Sequence, residues 1–243
     1  MNEKELNTLI TPNTTIGEIV AANYHAAGVF QRFGMDFCCG GGISLEKACE
    51  KRDTDMKSLI AALQTVEKQV IDNDENFQSW EPGFLIDHII QNHHRFVRTK
   101  TEEISVYAEK VARVHGERHP ENVAIFEKFS MLSQELLTHL EAEEERVFPL
   151  IRTIYESRMK GKNVPDELIG SLKAELNQME DDHVLAGDTM KEIRELSNQF
   201  TPPAEACRTY QILYLNLEGF EQDLHKHVHL ENNILFKKAE QLV

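Results

Sequence analysis

Four long stretches of the chain carry apolar residues at steps of three and four, the spacing of one buried face of an α-helix. Their approximate spans are 84–112, 121–150, 165–198 and 203–240. Short segments containing glycine or proline separate them, and Pro165 and Pro203 are expected at first-turn positions, where the missing N–H costs nothing. Helices of this length joined by short loops predict an all-α, up-down-up-down four-helix bundle.

A second, smaller helical pattern precedes the four long stretches. We expect a small helical domain over residues 1–71, a polar linker over 72–83 and the bundle over 84–243. Ser44 and Thr54 are suited to cap two helices of the small domain. The glycine-rich turn before Ser44 carries the adjacent residues Cys38 and Cys39, and we expect this turn to be exposed.

Charge and hydropathy exclude several classes of protein. The formal net charge is -15, and no basic stripe is present to neutralise phosphates, so we expect no nucleic-acid partner. No apolar run approaches the roughly 18 residues that a membrane span needs. The first ten residues lack the apolar segment of a secretory signal, and the 4 cysteines do not resemble a disulfide framework. These features favour a cytoplasmic protein without a membrane partner.

Each of the four apolar stripes contains one histidine, and two stripes also contain a glutamate four residues later on the same face. The six residues are His94, His139, Glu143, His183, His227 and Glu231. A buried carboxylate without a partner costs several kcal/mol, so six such residues at one level of a core need a shared partner. Imidazole and carboxylate ligands suit iron, manganese or zinc, and the absence of thiolates argues against a structural zinc or iron–sulfur site. We therefore predict a dinuclear metal site.

An internal repeat supports this hypothesis. The pattern His-x3-Glu-x4-Phe occurs twice, at His139, Glu143 and Phe148 and at His227, Glu231 and Phe236. The interval from His94 to His139 is 45 residues, and the interval from His183 to His227 is 44. A single histidine on a stripe is more often a hydrogen-bonded core residue. Six residues with matched spacing favour a pseudo-twofold metal site.

Other polar residues near the stripes receive simpler interpretations. His93 is expected to lie about 100° around the helix from His94 and off the buried face. His229 is expected to point away from His227, and Glu144 to belong to a solvated face. Asp182 could orient a histidine as a hydrogen-bond acceptor.

These motifs together resemble the repair-of-iron-centres family, hemerythrin-like di-iron proteins that restore iron–sulfur clusters after nitrosative or oxidative damage. The matching segments are Met35–Gly41, Asp87–His94, His139–Pro149, Asp182–His183, Pro202–Cys207 and His227–Phe236. The resemblance implies two non-haem irons bridged by an oxo or hydroxo group. It also implies terminal histidines 94, 139, 183 and 227 and bridging Glu143 and Glu231.

The resemblance implies a stress-response function with damaged iron–sulfur proteins as partners and NO or O2 as small ligands. Iron donation and NO reduction are both open as activities. The alternatives are a sensor or store that binds O2, NO or iron reversibly, and a carboxylate-bridged hydrolase or oxidase, for which no second constellation is present.

The cysteines have separate interpretations. Cys38 and Cys39 could act as a thiol relay, bridge two chains in a homodimer, or merely pack the small domain. Cys49 and Cys207 are expected to be small buried apolar residues.

Overall fold

The computed structural model describes residues 10–67 and 76–243. Within these ranges the regular structure is helical, and the β-bridge between Thr15 and Ser44 belongs to no strand. The prediction of an all-α fold is confirmed. The chain divides into two compact units, one formed by Met1–Leu85 with Val228–Gln241, and the other by Ile86–His227 with Leu242–Val243.

The first unit begins with four short helices, α1 to α4. They span Ile16–Ala22, Ala26–Arg32, Leu45–Arg52 and Met56–Glu67, and a 3-10 turn follows at Phe77–Ser79. A capping box starts α1, in which the Thr15 hydroxyl accepts from the Glu18 N–H and the Glu18 carboxylate accepts from the Thr15 N–H. The buried core of these helices is Ile16, Ile19, Val20, Val29, Phe30, Leu45 and Leu59.

The predicted N-terminal cap of α3 is confirmed, whereas that of α4 is wrong. Ser44 caps α3 as predicted, accepting from the Lys47 N–H. The cap predicted at Thr54 is wrong, because the Thr54 hydroxyl donates back to the Arg52 carbonyl. The Asp55 carboxylate instead accepts the N–H of Ser58. The end of α4 predicted at residue 70 lies outside the described residues.

Four long helices, α5 to α8, follow, and three of them contain one π-turn. α5 comprises Pro82–Ile89, a π-turn at Ile90–His94 and Arg95–His115. α6 comprises Glu121–Ala142, a π-turn at Glu143–Val147 and Phe148–Met159. α7 spans Asp166–Leu196, and α8 comprises Arg208–Leu230, a π-turn at Glu231–Leu235 and Phe236–Glu240.

Two predicted helix ends are wrong. α6 continues past residue 150 to Met159, because Ile151 and Ile154 extend its buried stripe. α8 starts at Arg208 rather than at residue 203. Pro203 lies in the preceding loop, where its carbonyl accepts the N–H of Ala206 in a turn.

Polar contacts join the long helices of the second unit into a closed ring. They are His94–Glu144 between α5 and α6 (2.6 Å), Arg146–Glu175 between α6 and α7 (3.2 Å), Arg194–Glu221 between α7 and α8 (2.7 Å), and Lys100–Asn216 between α5 and α8 (2.9 Å). Sequential helices are antiparallel because the loops between them are short. The predicted four-helix bundle is confirmed.

The interior of this bundle is apolar on the side of the loop between α5 and α6. Buried side chains there include Ile104, Ala108, Ile125, Phe129, Leu132, Met190, Ile193, Leu213 and Leu217. Phe129 meets Phe220 edge to face, with ring centroids 5.4 Å apart. Among the described residues, no helix is long and apolar enough to cross a membrane.

Candidate metal centre

The three π-turns coincide with predicted metal ligands. The π-turn of α5 ends at His94, that of α6 begins at Glu143, and that of α8 begins at Glu231. A π-turn accommodates one extra residue in a helix and occurs frequently at functional sites. The internal repeat therefore extends to the backbone, since both Glu-x4-Phe segments form a π-turn that ends just before a buried phenylalanine.

The first histidine pair consists of His94 from α5 and His227 from α8. Both side chains are buried, and their ring centroids are 4.9 Å apart. Ligand atoms of His94, His227 and Glu143 all lie within 4.8 Å of one another. The predicted convergence of α5, α6 and α8 on one point is thus present in the structure.

The second pair consists of His139 from α6 and His183 from α7. Their Nε2 atoms are 3.0 Å apart. Ligand atoms of His139, His183 and Glu143 also lie within 4.8 Å of one another. Glu143 therefore belongs to both groups of side chains.

The Glu143 carboxylate lies between the two histidine pairs. Its Oε1 is 3.4 Å from His139 Nε2, and its Oε2 is 3.4 Å from His94 Nε2. The side chain is completely buried. One carboxylate oxygen thus faces each histidine pair.

The spacing of these donor atoms fits metal ions. Two donors that bind one ion at about 2.1 Å, the length of a bond between zinc and imidazole, lie about 3.0 to 3.4 Å apart at bond angles between about 90° and 109°. The Nε2–Nε2 distance of 3.0 Å and the two Nε2–carboxylate distances of 3.4 Å fall in this range. The donor set contains only imidazole and carboxylate, which suits iron, manganese or zinc.

Two carboxylates orient the histidines from behind. The Glu144 carboxylate is 2.6 Å from His94 Nδ1 and accepts from Arg98, and Asp182 is 3.2 Å from His139 Nδ1 and accepts from Gln178. Each contact leaves the Nε2 atom of its histidine for the centre. The prediction for Asp182 is confirmed, with His139 as its partner.

The prediction that Glu144 belongs to a solvated face is wrong. Glu144 is part of the π-turn of α6, which directs it towards α5. Partial burial opposes its ionisation, but hydrogen bonds from Arg98 and His94 lower the pKa of Glu144 below its ordinary value. It is therefore held as a carboxylate beside His94.

Glu231 follows His227 by four residues in α8 and is the first residue of its π-turn, and its side chain is fully buried. Its place in the internal repeat corresponds to that of Glu143. Phe148 and Phe236, the phenylalanines of the repeat, are buried as well.

A cavity of about 570 Å³ reaches the second histidine pair. His139 and His183 line it, together with Asp182, Glu145 and Met179. His139 is 6% exposed, whereas His94 is 0% exposed. The two halves of the site therefore differ in access to solvent.

The prediction that His93 lies off the buried face is wrong. The structure buries His93, stacks it against His227 with ring centroids 5.6 Å apart, and places its Nδ1 3.0 Å from Asp223. The π-turn at Ile90–His94 is the cause, because a π-turn contains more residues than an α-helical turn. The rotation between consecutive residues is therefore smaller, and His93 lies closer to the face that His94 occupies. His229, expected to point away from His227, is buried as well.

The cysteine turn is less exposed than predicted, because Cys38 is buried and Cys39 is half-buried. Asp36 organises this turn, since its carboxylate accepts the N–H groups of Cys38, Cys39 and Gly40. The two Sγ atoms are 3.8 Å apart. The contact with Cys39 and burial raise the pKa of Cys38.

Cys49 and Cys207 have different environments. Cys49 is buried, as predicted. The prediction for Cys207 is wrong, because it is exposed in the loop before α8, with its Sγ 3.3 Å from His115 Nε2.

Two known families match separate parts of the chain. Residues 12–67 match ScdA_N, described as a domain of unknown function (DUF542), and residues 85–239 match the hemerythrin HHE cation binding domain. The buried histidine and glutamate cluster thus lies in a domain of a cation-binding family.

Similar proteins match over almost their whole length. The iron–sulfur cluster repair protein ScdA of Staphylococcus haemolyticus is 33% identical over 95% of this chain and 99% of its own. The iron–sulfur cluster repair proteins YtfE of Enterobacter sp. (strain 638) and of Escherichia coli O17:K52:H18 are 32% and 31% identical, each over 92% of this chain and 95% of their own. Because these matches extend over almost the whole chain, the chain belongs to the iron–sulfur cluster repair family of ScdA and YtfE.

Proposed function

We propose that this protein repairs iron–sulfur clusters damaged by nitrosative or oxidative stress in the cytoplasm, and that two non-haem irons in the bundle carry out this function. The observation that carries the proposal is the Glu143 carboxylate, which faces His94 with one oxygen and His139 with the other, 3.4 Å from each Nε2. The similar proteins ScdA and YtfE are named for the same repair function.

The six residues predicted from the sequence would hold the irons. His94 and His227 would be terminal ligands of one ion, and His139 and His183 of the other. Glu143 would bridge them, and Glu231, its counterpart in the internal repeat, would be the second bridge. A carboxylate-bridged pair of irons supplies ferrous–ferric redox chemistry and a coordination position for NO or O2.

The surrounding residues fix this arrangement. Glu144, held by Arg98, and Asp182, held by Gln178, keep the Nδ1 atoms of His94 and His139 engaged. Each imidazole is thereby oriented with Nε2 towards the centre. The apolar side chains on one side exclude water, which strengthens every electrostatic interaction within the site.

Access to solvent supports iron donation over closed storage. The cavity lined by His139 and His183 connects one half of the site with the surface. The His94 half is completely buried. Iron delivered to a damaged cluster would leave from the His139 half.

The first experiment measures iron, manganese and zinc per chain in protein purified without oxygen. About two irons per chain are expected in the wild type and fewer than one in a Glu143→Ala, Glu231→Ala variant. Glu145→Ala is the matched control, because Glu145 is an exposed residue of the same π-turn as Glu143. Iron that survives the double substitution would contradict the proposed site.

The second experiment measures reactivation of a [4Fe–4S] dehydratase damaged by NO. The iron-loaded protein is expected to restore activity faster than an equal amount of free ferrous salt. Equal rates would exclude iron donation, and reversible binding of NO without repair would favour a sensor or store. A Cys38→Ser, Cys39→Ser variant tests the proposed thiol relay in the same assay, because unaltered repair would remove both cysteines from the mechanism.

A further inference from the structure

Asn233 connects the cysteine turn to the last helix within the first unit. Its side-chain amide donates to the carbonyl oxygens of Phe37 (3.3 Å) and Cys38 (3.4 Å). The same Nδ2 lies 3.1 Å from His229 Nδ1, one turn earlier in α8. The proposed repair function gives this residue no role.

Two glycines form the notch that receives the Asn233 side chain. A Cβ atom on Gly17 would overlap Asn233 Oδ1 and lie 2.9 Å from its Cγ, and a Cβ on Gly41 would lie 3.1 Å from the same Oδ1. The Gly17 N–H donates to the Gly41 carbonyl at 2.8 Å, which joins α1 to the end of the cysteine turn. The notch therefore fits the asparagine only while both positions lack a side chain.

Aromatic contacts surround the same junction. The ring of His229 lies 5.6 Å from that of Tyr24 and 6.4 Å from that of Phe37, measured between centroids. Phe37 itself precedes the two cysteines, and its ring and carbonyl both meet α8. The backbone around Cys38 is thus held by side chains of α8 as well as by Asp36.

Asn233 is the third residue of the π-turn that begins with Glu231. Glu231 and Asn233 therefore share one five-residue turn, so a constraint on the Glu231 side chain limits the motion of Asn233. A ligand that binds the native conformation also lowers the population of locally opened states. Metal binding at Glu231 would accordingly reduce opening of the cysteine turn.

We propose that Asn233 is a positioning residue that sets the exposure of the Cys38–Cys39 pair and couples it to metal binding by Glu231. The coupling rests on the proposed function, whereas the positioning of the turn does not. The repair protein would thereby present its thiols differently in the iron-loaded and iron-depleted states.

The test measures the rate at which 5,5′-dithiobis(2-nitrobenzoate) labels thiols in a Cys49→Ala, Cys207→Ser background, where only Cys38 and Cys39 remain. In metal-free full-length protein, Asn233→Ala and Gly17→Ala are each expected to speed labelling by about three- to tenfold, the effect of losing one hydrogen bond that restrains the turn. Gly28→Ala is the matched control, because nothing lies within 4 Å of a Cβ at this helical glycine. Its rate is expected to stay within about twofold of the background.

Gly17→Ala leaves α8 and Asn233 chemically unchanged. An equal increase in labelling rate in Gly17→Ala and Asn233→Ala would therefore show that the fit of Asn233 in the notch restrains the cysteine turn. Circular dichroism and the melting temperature verify that each variant is folded. Rates that match the Gly28→Ala control in both folded variants would overturn the positioning role.

The coupling is read from the ratio of labelling rates in metal-free and iron-loaded protein. A ratio of at least about three is expected for the background protein, and about one for Asn233→Ala at equal iron content. A ratio of one in both proteins, with two irons bound, would overturn the coupling and leave the proposed function intact. Failure to bind iron would contradict the proposed function and the coupling together, whereas the metal-free comparison would still decide the positioning role.

Discussion

Replacing Glu143 by glutamine should separate the stability of the metal-loaded protein from that of the metal-free protein. The substitution keeps the shape of a side chain that is completely buried but removes the charge that faces both histidine pairs. In metal-free protein the substitution changes neither the size nor the burial of the side chain, so the melting temperature should stay within about 3 °C of the wild type or rise.

In the metal-loaded protein the same change should be costly. Ferrous iron at about 1,000 times its dissociation constant adds about 4.1 kcal/mol to the free energy of unfolding. Residues that merely orient a ligand change metal affinity by about 10- to 100-fold, so a ligand shared by two ions should reach at least about 100-fold. That loss is about 2.7 kcal/mol, or about 5–11 °C of melting temperature for a chain of this size.

Differential scanning calorimetry under argon, with and without ferrous iron, measures both quantities. Glu145→Gln on the same π-turn is the control and should keep the full iron-dependent shift. An iron-dependent rise in melting temperature of equal size in Glu143→Gln and wild type would refute the placement of an ion beside this carboxylate.

Three further substitutions test other parts of the bundle. Asp182→Asn should weaken iron binding by about 10- to 100-fold in anaerobic titrations while the metal-free melting temperature stays unchanged, because Asp182 acts only through His139. Burial raises the pKa of Glu221 above its ordinary value of 4.5, and the nearby Glu218 adds to the rise, although Arg194 opposes it. The protonated Glu221 therefore stabilises the fold fully below pH 4.5, and this contribution is lost as the pH rises through the raised pKa. Glu221→Gln should therefore flatten the decline of melting temperature above pH 4.5. Tyr214→Phe should cost about 1 kcal/mol in urea unfolding, since the buried Tyr214 hydroxyl contacts that of Tyr210.

The bundle was predictable from the sequence because its evidence is periodic. The stripes at steps of three and four identify which face of each helix is buried, and His139, His183 and Glu143 meet as that pattern requires. The repeat of His-x3-Glu-x4-Phe adds a second, independent regularity. Both signals are local in the chain, so they need no knowledge of how the helices cross.

The π-turns were not predictable by the same reasoning, and the errors at His93 and Glu144 follow from them. Periodicity assumes a constant rotation per residue, and this assumption fails inside Ile90–His94 and Glu143–Val147. The error at Thr54 has another origin, because Thr54 and the adjacent Asp55 are both residue types that cap helices. The structure shows that Asp55 accepts the N–H of Ser58, whereas the Thr54 hydroxyl donates to Arg52. The notch around Asn233 depends on segments almost 200 residues apart, which a single sequence does not bring together.

Each π-turn also divides its helix into two parts, and the buried face of one part need not continue the buried face of the other. In α6, the residues before Glu143 and those after Val147 bury their own stripes, and the surplus residue absorbs the angular mismatch between them. If the same residues formed a regular α-helix instead, everything beyond the turn would be rotated by about 100°, which would carry Phe148 out of the core. The backbone conformation of this turn, rather than the identity of exposed residues such as Glu145, therefore decides whether Phe148 is buried.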